Sequence, residues 1–329
     1  MTYSIIIPVY NRPNEIQELL ESLTRQTYTR FEVIVVDDGS TERCNDIADH
    51  YKNELTLSYF WKENSGPGLT RNFGAEKSSG EFLIFFDSDC IIPDHYMETV
   101  NRFLVKNSID AYGGPDKADQ SFTPIQKAIN YSMTSFLTTG GIRGGEKSMD
   151  RFYPRSFNMG ISSDAFARVG GFSKMRFGED VDLSLRLEEN NLISVLIEEA
   201  YVYHKRRTNL KSFFKQVFNS GIARYNLTRR HPGSLKLVHL LPSAFVLYLI
   251  AAVLALPFFP SLWLPVLVLL LLFVLDSLRS THNLGVALLS SVTSIIQISG
   301  YGSGLIWAVF KHLFLKRNDL SAFKDTFYD

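Results

Sequence analysis

The chain has 329 residues, with 34 Lys and Arg balancing 34 Asp and Glu, and 45% of its residues are hydrophobic. These proportions exclude a disordered, collagen-like or fibrous chain, and the length fits about two domains. Only two cysteines, Cys44 and Cys90, are present, which excludes a disulfide framework and fits a reducing, cytosolic face.

From the N-terminus, MTYSIIIPVYNRP has too short an apolar run and no basic n-region, so no secretory signal peptide is expected. Residues 4–9 (SIIIPV) form a β-branched run of the kind buried on both faces of a parallel sheet. Residues 15–26 follow, with Ile16, Leu19, Leu20 and Leu23 at helical spacing. A second buried strand, 31–36 (FEVIVV), ends in Asp37-Asp38-Gly39-Ser40, and a helix is expected over about 41–51. A third strand is predicted near 57–61, then a break at Asn64-Ser65-Gly66-Pro67-Gly68 and a helix over about 69–77. The fourth strand, 81–86 (EFLIFF), runs into Asp87-Ser88-Asp89. Repeated βα units predict a parallel sheet with helices on both faces, and ligands in such sheets sit beyond the strand C-termini. Asn11, Asp38, Asp87 and Asp89 all follow strand ends, so they should converge on one crevice.

Taken alone, Asp87-Ser88-Asp89 and Asp37-Asp38-Gly39-Ser40 read equally well as turns with capping duty. Paired strand-end carboxylates can also hold a hard divalent cation, with substrate phosphates completing its shell. Gly66-Pro67-Gly68 reads either as a plain loop or as a helix N-terminus open to a phosphate, and it matches neither the Walker loop nor GxGxxG. Glu179-Asp180 alone reads as an acidic first turn, ahead of a helix carrying Val181, Leu183, Leu185 and Leu187. There the dipole would stabilise the carboxylate. His204 ends an apparent strand over 200–203 and precedes Lys205-Arg206-Arg207, where a surface histidine is the plain reading. Residues 140–145 (GGIRGG) read as a mobile loop.

In this order, IIIPVYNR, VVDDGS, GPGLTRNFGA, FFDSD, the GGF at 170–172 and the GED at 178–180 resemble the family 2 glycosyltransferases, over roughly residues 3–230. The resemblance implies a GT-A fold: Rossmann-like, with a mostly parallel central sheet and helices on both faces. It also implies a nucleotide-diphosphate-sugar donor and inverting transfer. By position, Pro8, Tyr10 and Asn11 would line the nucleotide pocket, Asp38 would bind the base or ribose, and Arg71 would lie near the phosphates. Asp87 and Asp89 match the family's DxD, where Mn²⁺ or Mg²⁺ bridges enzyme and diphosphate, and some GT-A enzymes add a histidine to that shell, here His204. Asp180 matches the general base. The stretch GPGLTRN stands where Ala-rich versions are usual, yet it keeps Arg71 and Asn72. Residues 158–163 with Gly170-Gly171-Phe172 resemble the acceptor-side segment, without a role for any one of them.

Between residues 200 and 237 there is no Asp or Glu but nine cations, including Lys211, Lys215, Arg224, Arg229 and Arg230. Nucleic-acid binding is one reading of such a run; its place just before an apolar tail favours anionic lipid on the cytosolic leaflet instead. An apolar face of Phe213, Phe214, Val217, Phe218, Ile222 and Tyr225 suits either an interfacial helix or one packed on the catalytic domain. Residues 238–310 hold only two charges, Asp276 and Arg279. The expected division is a catalytic domain over 1–230, with a basic hinge over 205–237. A transmembrane region over 238–310 follows, with two to three apolar segments (about 240–259, 262–275 and 284–310), and then a basic tail over 311–329. Three spans would put the tail outside, whereas Lys311, His312, Lys316 and Arg317 prefer the inside.

The reading is therefore an integral enzyme of the inner cell membrane, its catalytic domain facing the cytosol. It would move a sugar to a hydroxyl of a lipid-linked or membrane-proximal glycan. A polyprenyl-phosphate sugar synthase is the near alternative, and a catalytically silent sugar-nucleotide sensor the alternative of another class. Sugar, base, linkage and oligomeric state are not legible.

Overall fold

The computed structural model describes residues 1–117, 122–140 and 152–315. Of the segments singled out above, residues 141–145 and the basic pair Lys316 and Arg317 lie outside the described residues. Among the described residues the chain divides into two compact units, 1–117 with 152–204, and 122–140 with 205–315.

The first unit is an α/β layer structure. Its strands are β1 (Tyr3–Val9), β2 (Phe31–Asp37), β3 (Leu57–Trp61), β4 (Phe82–Phe86), β5 (Cys90–Ile91), β6 (Ala111–Gly113), β7 (Asp116–Lys117), β8 (Asn158–Ser162), β9 (Ser194–Leu196) and β10 (Val202–His204). Between the early strands lie α1 (Pro13–Thr24), α2 (Asn45–Tyr51), α3 (Pro67–Glu76) and α4 (Tyr96–Lys106). The helices α5 (Pro124–Thr134) and α6 (Phe136–Thr139) belong to the second unit; α7 (Ser163–Val169) and α8 (Glu179–Glu189) complete the first.

The main sheet runs β3-β2-β1-β4-β8-β6-β9, with β3, β2, β1 and β4 mutually parallel. β8 runs antiparallel to both β4 and β6, so the sheet is mixed at that side. β1 is buried throughout because alternate residues enter two cores. Ile5, Ile7 and Val9 meet Leu19, Leu20 and Leu23 of α1, while Ile6 packs with Phe166, Phe172 and Leu183. A small second sheet, β5-β10-β7, pairs His204 with Cys90.

The second unit is helical, with α9 (Leu210–Arg230), α10 (Leu241–Leu254), α11 (Leu264–Thr281) and α12 (Leu284–Leu315) joining α5 and α6. Among the described residues, three stretches are long and apolar enough to cross a membrane: Leu237–Leu254, Pro260–Thr281 and Leu284–Leu315, of 18, 22 and 32 residues. The second runs past Asp276, where the sequence suggested an end. The Asp276 carboxylate accepts hydrogen bonds from Tyr131 (2.6 Å) and Ser135 (3.1 Å), so the acid is satisfied inside the unit. The apolar face of α9 is divided. Phe213 and Val217 pack with Ile129, Met133 and Ile296 of the second unit, and Phe214 stays exposed.

Candidate active site

The C-terminal ends of β2, β1 and β4 do bring the motif residues together. After β1, Asn11 adopts a left-handed conformation (φ 50°), and its side-chain oxygen accepts from the amides of Thr41 (2.9 Å) and Glu42 (3.3 Å). Asn11 thus ties the loop after β1 to the loop after β2. Pro8 lies in β1 in register with Val36, and Tyr10 is half-buried just beyond the strand. Asp38 is fully buried, and its carboxylate accepts from Lys62 Nζ (2.7 Å) and from the amides of Ser65 (2.9 Å) and Gly66 (2.8 Å). Those two amides, at the entrance to α3, are therefore taken by Asp38 and are not open to an anion.

Arg71, in the second turn of α3 and 2% exposed, reaches the next strand end. Its guanidinium donates to Asp87 (2.5 Å) and to Glu179 at the start of α8 (3.2 Å), with the Phe172 ring 5.3 Å from its centre. Asn72, its neighbour, exchanges two 2.8 Å hydrogen bonds with the backbone of Phe172, which fixes the GGF turn. Gly178, with φ 85°, turns the chain into α8, so Glu179 and Asp180 fall in the helix's first turn. Asp180 accepts from the Val181 amide (2.7 Å) and lies 3.6 Å from Arg155.

Asp89 has other partners. One carboxylate oxygen is held by Arg12, and the other lies 3.2 Å from His204 Nε2. Burial alone would raise the Asp89 pKa, but His204 and Arg12 outweigh it and hold the carboxyl well below the usual range. The β5–β10 register brings His204 here, its ring stacked on Phe157 at 4.9 Å and its Nδ1 3.9 Å from Asp116. For Glu179 the balance goes the other way. Burial first, then the neighbouring Asp180 charge, push its carboxyl up to about 7 against the pull of Arg71.

The donor chemistry fits a divalent cation between Asp89 and His204. Their facing oxygen and nitrogen are 3.2 Å apart, close to the ~3 Å edge of an octahedral shell with ~2.1 Å bonds. Carboxylate with imidazole suits Mn²⁺ or Mg²⁺ in that order. Cys90 is within reach of the same point, but burial raises its pKa well above the usual thiol value, and Sγ donates to the Phe157 carbonyl. It stays a thiol. Asp87 stands apart from this pair, on Arg71. Arg12 and Glu179 lie within the sequence motifs, which gave them no role, and Lys62, Asp116 and Arg155 lie outside them; all five stand among the candidate site residues.

A family model described as "Glycosyl transferase family 2" matches residues 4–174. The chain belongs to that family. An uncharacterised glycosyltransferase of Haemophilus influenzae is 31% identical over 221 residues, covering 64% of this chain and 71% of that protein. The poly(ribitol-phosphate) β-N-acetylglucosaminyltransferase TarS of Staphylococcus aureus is 29% identical over 63% of this chain and 36% of its own length. An uncharacterised glycosyltransferase of Rickettsia bellii is 42% identical over 32% of this chain and 15% of its own. The chain thus spans only a minor part of the length of these last two relatives.

Among solved structures, residues 1–349 of TarS in complex with UDP-GlcNAc align with a TM-score of 0.50 at 21% identity, over 93% of this chain and 91% of that one. The Pyrobaculum calidifontis mannosyltransferase PcManGT, in complex with GDP-Man and Mn²⁺, aligns at 0.58 and 16% identity, over 96% and 88%. The fold of this glycosyltransferase is accordingly GT-A, followed by apolar C-terminal helices.

Proposed function

We propose that this family 2 glycosyltransferase moves a sugar, with inversion, from a nucleotide-diphosphate donor to a hydroxyl of a lipid-linked or membrane-proximal glycan. The observation that carries the reading is Arg71, which bridges Asp87 at a strand end to Glu179 at the start of α8. One buried cation therefore joins the donor-side carboxylate to the segment bearing Asp180. Pro8, Tyr10, Asn11 and Asp38 form the nucleotide end, Asp38 acting with Lys62, and Arg71 serves the phosphate side. Asp89 and His204 would hold Mn²⁺ or Mg²⁺, while Asp87 stays on Arg71. When bound, such an ion neutralises charge developing on the leaving diphosphate.

In this reading the acceptor oxygen attacks the anomeric carbon from the face opposite the diphosphate. The bond to the phosphate oxygen breaks with its electron pair, and Asp180 takes the hydroxyl proton. The exposed cations of the basic run, Arg207, Lys211, Lys215, Arg229, Arg230 and Lys236, hold the enzyme on anionic lipid at ~1 kcal/mol each near the surface, on the cytosolic side of the inner cell membrane, whereas Arg206 is buried against Asn130. The catalytic part is the α/β unit, 1–117 with 152–204; of the range 1–230 expected for it, residues 122–140 and 205–230 fall in the helical unit that carries the apolar segments of 238–310.

Arg155, 3.6 Å from Asp180, favours a second reading, in which the acceptor is a polyprenyl phosphate whose anionic oxygen needs no base. Asp180→Asn separates the two. With UDP-GlcNAc or GDP-mannose as donor and membrane lipid extract as acceptor, a loss of at least ~100-fold in transfer supports the hydroxyl acceptor. Near-normal transfer supports the phosphate and removes Asp180 as base.

A further inference from the structure

Arg12 is the first residue after Asn11 and caps the start of α1, yet its guanidinium is folded back onto Asp89, 77 residues away. The contact gives each oxygen of Asp89 a neighbour: the fixed charge of Arg12 on one, and His204 Nε2 3.2 Å from the other. Asp89 raises the pKa of Arg12 in return, so the guanidinium is a fixed charge. A divalent cation bound by Asp89 and His204 would share one carboxylate with that fixed charge, in a pocket where Asp89 is only 15% exposed and water screens poorly. The remaining acids do not relieve the clash. Asp87 and Glu179 are paired with Arg71, Asp180 faces Arg155, and Asp116 lies across the imidazole, 3.9 Å from His204 Nδ1 rather than beside Arg12.

We propose that Arg12 competes with the divalent cation for Asp89, and that a nucleoside diphosphate relieves the competition, so that cation and nucleotide bind together and poorly apart. The inference rests on the Asp89–His204 cation site proposed above. The diphosphate supplies the negative charge that the site's own carboxylates, already paired, cannot. Its oxygens also offer the planar guanidinium fork a second partner in bidentate geometry, so Arg12 can leave Asp89 without becoming an unpaired charge. The coupling is reciprocal: whatever factor UDP adds to cation affinity, the cation adds to UDP affinity.

The test is Mn²⁺ binding by the purified full-length protein, read by the EPR signal of free Mn²⁺, with and without UDP or GDP, in wild type, Arg12→Gln and Arg12→Lys. In Arg12→Gln, Mn²⁺ alone should bind at least tenfold more tightly than in wild type, and the gain in affinity from nucleotide should shrink by a similar factor. Arg12→Lys keeps the charge and should stay near wild type. Thermal unfolding of each variant confirms that it is folded. If wild type binds Mn²⁺ with nucleotide but Arg12→Gln binds Mn²⁺ alone no better, the competition is refuted while the cation site stands. If Mn²⁺ binds to none of the three proteins under any condition, the cation site itself falls, and this inference with it.

Discussion

Glu179 shows how the site sets one residue against its neighbours. Its carboxyl is pushed up to about 7 by burial and by Asp180, whereas an unfolded glutamate titrates near ~4.3. Between those values the folded chain keeps a proton that the unfolded chain has released. Stability from this group is therefore fully present at low pH and falls as pH rises towards 7. Glu179→Gln should remove that dependence. The unfolding temperature of the variant, measured against wild type from about pH 5 to about pH 8, should gain steadily with pH, by the equivalent of at most about 3 kcal/mol. A difference that is flat with pH would contradict the protonation assigned to Glu179. At this scale the motif carboxylates Asp87, Asp89 and Asp180 were legible, because their spacing and order are in the sequence. Arg12 and Arg155 were not, since each acquires its meaning from a partner that only the fold brings near.

Among the elements, β1, β2 and β4 could be read because each is a run of apolar residues that ends in a polar turn, and β1 feeds a helix of clear period. The three-residue β6 and β9, and β8 with its sequence NMGIS, carry no such pattern and take their place from pairing alone. The position of His204 has the same origin. Nothing in the sequence says that a three-residue strand will pair with Cys90 and Ile91, yet that register delivers the imidazole to Asp89. In the helical unit, α9 and α12 approach through glycine. A Cβ on Gly304 would lie 2.0 Å from the Phe218 carbonyl oxygen, and one on Gly221 would lie 2.1 Å from that of Tyr301. Close backbone approach of this kind is how helices associate where lipid removes the hydrophobic drive. Gly304→Val and Gly221→Val should each lower stability by about 1–3 kcal/mol, read as thermal unfolding in detergent. Unchanged unfolding for both would mean that α9 does not pack on α12 there.

On the scale of the whole molecule, the uneven distribution of charge was the clearest signal in the sequence, and it corresponds to the helices. Leu247, Ile250, Leu254, Leu267, Leu271 and Leu275 are all exposed on α10 and α11, an arrangement suited to lipid and unfavourable in water. The helix boundaries were less legible, because the hydrogen bonds that let α11 continue through Asp276 come from Tyr131 and Ser135, far back in the chain. The proposed inversion requires Asp180 to act as a single base opposite the leaving diphosphate. It is tested most directly by following the anomeric proton by NMR while purified full-length protein, supplied with Mn²⁺, turns over a nucleotide α-sugar. The account predicts that the first product formed is β-configured as nucleoside diphosphate is released; an α-configured first product would contradict it.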